Sequence, residues 1–356
     1  MKIKIILFVI AAATIMLSCK NEEQIPAPFI PPRPVEKTVP FGVNLAGGEF
    51  GSLSGAYGTA YIYPNIAELD YYKSKGIKLI RLTFKWERLQ PALNAPLDAT
   101  ELARVMALID GANEREILIV LDCHNYGRRT INTTSYIIGA PELPISAFKD
   151  FWIRMATAFK SKKIWGYDIM NEPHDMLATP TWFDIAQEAI NGIRSIDQDT
   201  NIIVSGDGWS NPGLFATPGS KSDVLKNLTD PSNKLIFQAH TYFDKDNSGT
   251  YMGSYDVEEA YPNRGADRVK PFIDWLKANN KKGFIGEYGI PANDARWLVA
   301  LDNFLKYLQD NCVNGTYWAG GPWWGTYPLS IEPANGVDKP QMGVVKKYLT
   351  LPASCQ

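Results

Sequence analysis

Two glutamates stand out by where they fall. Glu172 comes just after the apolar run Ile164 to Met170, and Glu287 closes a second run that begins at Gly283. Other polar groups occupy matching places. Arg81 lies inside the run Ile77 to Phe84, and His124 and Asn125 follow Ile117 to Asp122. Asn171 precedes Glu172, His240 and Tyr242 follow the run from Leu235, and Trp318 ends the run from Gly315. Two carboxyls brought close together cannot both ionise cheaply, so the charge of one holds the proton on the other. A protonated carboxyl can hand a proton to a leaving oxygen while an ionised one attacks or stabilises the carbon, which is the pairing that cleavage of a glycosidic bond requires.

Those groups need strands to carry them. The runs are Phe41 to Leu45, Ile77 to Phe84, Ile117 to Asp122, Ile164 to Met170, Ile202 to Ser205, Leu235 to His240, Gly283 to Glu287 and Gly315 to Trp318. Segments of helical period separate them, among them Asp98 to Asn113, Ser146 to Lys160, Thr181 to Ile196 and Arg296 to Asn311. Polar starters such as Asp98 and Ser146 precede the periodic apolar positions. Eight such units with right-handed crossovers predict an α/β fold, a single (β/α)8 TIM barrel over residues 39–356. An open doubly wound sheet is the rival architecture. Its glycine-rich first turn is missing, because Gly47, Gly48 and Gly51 have neither the spacing nor the acidic residue that should follow.

Chemistry in such barrels sits at the C-terminal ends of the strands. Singly, Arg81 could be a core ion pair, His240 a satisfied buried imidazole and Trp318 a barrel cap. Together these residues converge on one rim from six strands, which separate structural accidents do not do. Two further readings compete. A glycan-binding barrel without chemistry needs the tryptophans but not both glutamates and Arg81. A zinc enzyme would draw on His124, His174 and His240, the only three histidines, yet no two have a short ligand spacing. No metal or cofactor is expected.

At Ile169-Met170-Asn171-Glu172-Pro173-His174 the sequence resembles glycoside hydrolase family 5. The family pattern also has an arginine in the second strand, a histidine after the third, a histidine and tyrosine after the sixth, a glutamate ending the seventh and a tryptophan after the eighth. These fall on Arg81, His124, His240, Tyr242, Glu287 and Trp318. Asp122-Cys123-His124-Asn125-Tyr126, Asn171-Glu172-Pro173-His174-Asp175, His240-Thr241-Tyr242 and Asp246-Asn247-Ser248-Gly249-Thr250 are similar to the subfamily 5 endoglucanases. The resemblance spans about residues 40 to 350.

It implies a retaining endo-β-1,4-glucanase acting on cellulose or a related β-glucan, with Glu287 as nucleophile and Glu172 as acid/base. It also implies that Arg81 and Tyr242 aim Glu287, that Asn171 binds the sugar 2-hydroxyl, and that His124 and His240 bond the sugar or the acid/base. Trp318 would stack under the pyranose ring, with Trp209, Trp323, Trp324 and Asn125 extending the glucan surface, although Trp323 and Trp324 could instead form a hydrophobic cap over the barrel; Trp86 reads as packing. The same machinery on mixed-linkage glucan, xyloglucan or mannan stays open.

Lys2 and Lys4 precede an apolar stretch, Ile5 to Leu17, too short to span a membrane and laid out as a secretory signal. It ends Leu17-Ser18-Cys19, which resembles a bacterial lipobox. That implies a signal peptide over 1–18, lipidation of Cys19 and anchoring to the outer membrane. Residues 19–38 carry Pro26, Pro28, Pro31, Pro32 and Pro34 and read as an extended tether. Lys20, Glu22 and Glu23 resemble tags that send some lipoproteins to the outer cell surface, although a solvated linker carries the same residues. No attached carbohydrate-binding domain is expected, and the chain should act as a monomer.

Composition narrows the partners. With 36 basic and 38 acidic residues and no long run of either sign, the 356-residue chain lacks the footprint of a nucleic-acid binder. Of four cysteines, Cys19 goes to the lipid, Cys123 reads as a buried thiol, and Cys312 with Cys355 is a conceivable pair. The paired pattern expected of secreted fungal relatives is missing, so their disulfides are not carried over.

Overall fold

A computed structural model describes residues 41–352 and Cys355. The signal segment, Cys19 and the tether lie outside the described residues. Among the described residues ten strands form, in chain order β1 (Gly42–Leu45), β2 (Leu79–Phe84), β3 (Leu118–Cys123), β4 (Arg128–Ile131), β5 (Thr134–Ile137), β6 (Gly166–Asp168), β7 (Asn201–Ser205), β8 (Leu235–His240), β9 (Lys282–Tyr288) and β10 (Asn314–Gly320). Eight of them close a parallel barrel in the order β1-β10-β9-β8-β7-β6-β3-β2, the architecture expected from the sequence. The hairpin β4–β5 is an addition within the loop after β3 that the apolar pattern did not signal, because its strands are short and half-exposed.

Nine helices surround it among the described residues: α1 (Ile66–Ser74), α2 (Trp86–Leu89), α3 (Ala99–Glu114), α4 (Ile145–Phe159), α5 (Trp182–Arg194), α6 (Pro212–Phe215), α7 (Arg264–Ala278), α8 (Ala295–Asp310) and α9 (Pro340–Val345). Their ends follow from capping chemistry. Asp98 accepts from the amides of Thr100 and Glu101 to start α3, and Thr181 with Asp184 makes a reciprocal cap on α5. Helix α4 departs from expectation: it starts after Pro144, so Ser146 sits in the first turn instead of capping it. Between β7 and β8 only the four-residue α6 and a short 3-10 turn form, so the β/α alternation is incomplete there.

Two apolar layers hold the barrel. Strand residues alternate faces. In β2, Ile80, Leu82 and Phe84 join the large core shared with the helices, while Leu79 joins a small inner cluster with Leu118, Val120, Trp165, Ile203, Ile236 and Phe284. The same alternation places Arg81 above Leu79, Asp122 above Val120, and Gln238 and His240 above Ile236. Above its apolar floor the interior is polar: Asn44, Arg81, Asp122, Asp168, Ser205, Gln238 and Thr316 are all fully buried. Cys123 faces the helices as a buried free thiol, and Cys312 pairs with Cys355, with Cα atoms 5.3 Å apart. No described helix is long and apolar enough to cross a membrane.

Candidate active site

Strict alternation would turn Glu287 outward, since Phe284 faces in and Ile285 faces the helices. A register shift corrects this. Ala239 pairs with Ile285 but His240 pairs with Glu287, and on the other side Gly315 pairs with Ile285 but Tyr317 with Tyr288. Gly286 is the extra residue of a bulge, which re-aims the next side chain into the barrel mouth. Its carbonyl is held by the Asn44 amide at 2.8 Å and the Thr316 hydroxyl at 2.6 Å, so the disrupted ladder leaves no orphan acceptor there.

Glu287 then meets two donors. Arg81 Nη1 lies 3.0 Å from Oε1, and the Tyr242 hydroxyl donates to Oε2 at 2.8 Å. Arg81 is fully buried and also pairs with Asp122 at 3.0 Å and Asp168 at 2.8 Å. Burial alone would lower its pKa, but the three carboxylates reverse that and raise it. The guanidinium is therefore a permanent charge. Burial pushes Asp122 up to about 7 and Asp168 up to about 6, with Arg81 pulling both back.

Glu172 arrives differently. The indole of Trp152 on α4 donates to the Ile169 carbonyl at 3.2 Å, and the Asn171 amide bonds the Cys123 carbonyl at 2.8 Å, tying the segment after β6 to α4 and β3. Glu172 itself has φ 40, in the left-handed region that non-glycine residues enter at a cost of order 1–3 kcal/mol, a feature that gathers at functional sites. Its Oε1 lies 2.7 Å from His240 Nδ1. Burial raises its pKa to about 8, opposed by Arg81 and reinforced by Asp122. Burial also raises Glu287, and Glu172 adds to that, while His240 and Arg81 pull it down. Glu287 has a cation and a hydroxyl as donors whereas Glu172 has one imidazole, lowered by burial to about 4. Glu287 is thus the first of the two to lose its proton.

The carboxylates converge closely. One oxygen of each lies within 4.8 Å of the other and of a His240 ring nitrogen. Such a trio could also grip a cation, but hydrogen bonds already account for it: Arg81 and Tyr242 take both oxygens of Glu287, and His240 takes Glu172.

Asn171 and His124 form the adjoining wall. Arg81 Nη2 donates to Asn171 Oδ1 at 2.7 Å, which fixes the amide and leaves its NH2 facing His124 Nε2 at 3.3 Å. His124 Nδ1 bonds Asp122 at 2.7 Å, and its Nε2 meets the Tyr126 hydroxyl at 3.0 Å. Burial lowers His124 to about 3, so it is neutral. Both of its nitrogens are thus engaged by protein groups, and neither is bonded to Glu172. Asn125 is corrected outright: its amide caps Trp86 N at 2.8 Å and donates to Glu87 at 2.8 Å, so it braces α2 and does not face a glucan. Trp86 is fully buried against Phe148 and Phe151, as packing requires.

Aromatic rings cross the mouth in a line. Trp318 stacks on His124 at 5.4 Å, His124 meets Tyr126 at 5.2 Å, Tyr126 meets Trp209 at 5.9 Å, and Trp209 stacks on His174 at 3.5 Å. Trp209 is 52% and Trp323 38% exposed, so both present a face to solvent. Trp324 is partly buried: it packs against Phe50, Trp318 and Tyr327 and donates to the Gly320 carbonyl, which makes it a buttress for Trp318. Asn44, Asp122, Asp168, Gln238, Tyr126 and Gly286 were not singled out in the sequence as site residues. Inward alternation from Arg81, Val120 and Ile236 would have found Asp122 and Gln238; a bulge has no comparable signature.

Comparison with known proteins settles the lineage. The family model "Cellulase (glycosyl hydrolase family 5)" matches residues 37–323. The chain belongs to this family. It is 34% identical over 302 residues to a probable endo-beta-1,4-glucanase B of Aspergillus kawachii, covering 83% of this chain and 86% of that one. An endo-beta-1,4-glucanase B of Emericella nidulans is 32% identical, with 95% and 96% covered. Among solved structures, the family 5 barrel is similar to Pseudomonas stutzeri endoglucanase Cel5A in complex with cellobiose, with TM-score 0.81 and 40% identity, covering 88% of this chain and 92% of that one. XacCel5A in complex with cellopentaose gives TM-score 0.80 and 34% identity over 88% of this chain and 99% of that one.

Proposed function

We propose that this family 5 hydrolase cleaves internal β-1,4-glucosidic bonds of cellulose or a related β-glucan with retention of configuration. The observation that carries the reading is the pair Glu172 and Glu287, with oxygens within 4.8 Å and opposite surroundings. Retaining glycosidases hold their carboxyls about 5–5.5 Å apart and inverting ones about 6.5–9.5 Å. Glu172 gives its proton to the glycosidic oxygen as Glu287 attacks the anomeric carbon and forms a glycosyl ester. Water then loses a proton to Glu172 and attacks the same carbon, releasing Glu287. Arg81 and Tyr242 hold Glu287 ionised and aimed, and the NH2 of Asn171 is turned to meet the 2-hydroxyl.

The cellobiose and cellopentaose bound by the two solved relatives support a linear β-1,4-glucan. Trp209, Trp318 and Trp323 offer faces for successive glucose rings. The test is product length and reducing-sugar release from carboxymethylcellulose, mixed-linkage glucan, xyloglucan and mannan, for the mature protein, Glu172→Gln and Glu287→Gln. Rapid shortening of the first two that vanishes in both variants is expected. Activity confined to xyloglucan or mannan overturns the substrate, and activity that survives loss of Glu287 overturns the site.

For location, the basic start, the apolar stretch and Leu17-Ser18-Cys19 support a lipoprotein whose tether holds the barrel off the outer membrane. Metabolic palmitate labelling that is lost in Cys19→Ala tests this; label in both forms, or in neither, contradicts it.

A further inference from the structure

The buried carboxamide of Gln238 has no task in the account above, yet it adjoins the acid/base. Its Nε2 donates to the Ser205 hydroxyl oxygen at 2.7 Å. That orientation leaves Oε1 as the free end. Oε1 of Gln238 and Nε2 of His240 are both buried and have no partner. Both lie over Gly286: a Cβ there would come 2.4 Å from Gln238 Oε1 and 2.7 Å from His240 Nε2. The two unpartnered atoms share one small space and need only a slight side-chain rotation to bond each other directly, and only the glycine of the bulge leaves the room.

We infer that Gln238 is a positioning residue that selects the Nε2–H tautomer of His240 and thereby keeps the catalytic proton on Glu172. An amide oxygen can only accept, so the nitrogen facing it must carry hydrogen. Nδ1 is then a bare lone pair, and the 2.7 Å contact with Glu172 Oε1 is an O–H donating to nitrogen. The opposite tautomer sets two bare acceptors against each other beside Gly286. During turnover His240 keeps its single proton. When Glu172 protonates the leaving oxygen, its carboxylate is left facing the Nδ1 lone pair, which favours recovery of a proton from the attacking water. The raised Glu172 and lowered His240 agree with this. Other ionisable groups facing the pair are Arg81 from β2, Asp122 from β3, Asp168 from β6, Glu287 from β9, and Tyr126 and Tyr242 from the loops.

The inference rests on Glu172 being the acid, and the test separates the two. In the native chain with 15N-labelled histidine, only three histidines contribute, and two-bond 15N–1H correlation near pH 6.5 should show His240 protonated at Nε2. An Nδ1–H tautomer or an imidazolium overturns the inference, and this holds even if no Gln238 variant folds. In Gln238→Met the basic limb of kcat/KM on cellotetraose should move down by a pH unit or more, with about tenfold less activity above it. Cleavage of 2,4-dinitrophenyl cellobioside, whose leaving group needs no proton, should change by less than about twofold. An unmoved limb, or equal loss on both substrates, contradicts the tautomer role. Glu172→Gln retaining cellotetraose cleavage would instead remove the underlying reading.

Discussion

Arg81 Nη1 sits 3.0 Å from Glu287 Oε1, at the centre of a buried cation shared by three carboxylates. One positive charge holds Glu287, Asp122 and Asp168, and the Nη2 that faces Asp122 also fixes Asn171. Breaking such a network by removing one partner leaves uncompensated buried charge, at about 3–5 kcal/mol. Arg81→Met should therefore lower the unfolding free energy measured in urea by that amount and abolish activity. Arg81→Lys should recover part of the stability but little activity, because a point charge cannot reach Asn44, Asp122, Asp168, Asn171 and Glu287 at once. Stability unchanged in Arg81→Met would contradict the network.

The Tyr242 hydroxyl contributes a single charge-assisted hydrogen bond to Glu287. Such bonds are worth about 1.5–3 kcal/mol, so Tyr242→Phe should cut kcat by about 10- to 100-fold with the melting temperature nearly unchanged. Steady-state kinetics on cellotetraose checks this. A rise in KM alone would place the hydroxyl on the substrate instead.

Two groups set the pH dependence. Glu172 must be protonated, and burial has moved it to about 8, so kcat/KM should fall as pH rises through about 8. Glu287 must be ionised, and burial has raised it, so the acid limb should lie above the usual carboxylate range. Stability follows the same shifts. Glu172 is raised in the folded chain from 4.5, so its contribution is fully present below that value and lost as pH rises towards about 8. Glu172→Gln should consequently gain melting temperature over the parent progressively between those values. A constant difference across that window would contradict the shifted pKa.

The aromatic surface divides into platforms and supports. Trp323→Ala removes an exposed face and should raise KM for cellopentaose by about three- to tenfold while sparing kcat. Asn125→Ala should do the reverse: its amide braces Trp86 and Glu87, so stability falls and KM holds. Isothermal binding of cellopentaose to the Glu172→Gln background separates the two. Equal effects on binding would return Asn125 to the cleft.

These residues also show what the sequence could and could not disclose. Arg81, Glu172, His240 and Tyr242 were legible because apolar runs announce strands and polar residues at their ends announce the rim. Glu287 was legible as a strand end, but its inward aim depends on the Gly286 bulge, which periodicity of two hides. Asn125 was misread because spacing after a strand cannot tell a rim residue from one turned back to cap α2. The buttressing contact of Trp324 was not legible because it depends on Phe50, which comes from a distant segment. The missing helix between β7 and β8 was invisible for a similar reason: length alone left room for one.

The central claim is that Glu287 forms a glycosyl-enzyme while Glu172 supplies the proton. It is tested most directly by incubating the protein with 2,4-dinitrophenyl 2-deoxy-2-fluoro-cellobioside and measuring the intact mass, followed by peptide mapping. The account predicts stoichiometric addition of one fluoro-cellobiosyl group on the peptide bearing Glu287, and none in Glu287→Gln. An adduct on another residue, or an inverted anomer as first product without any adduct, would contradict it.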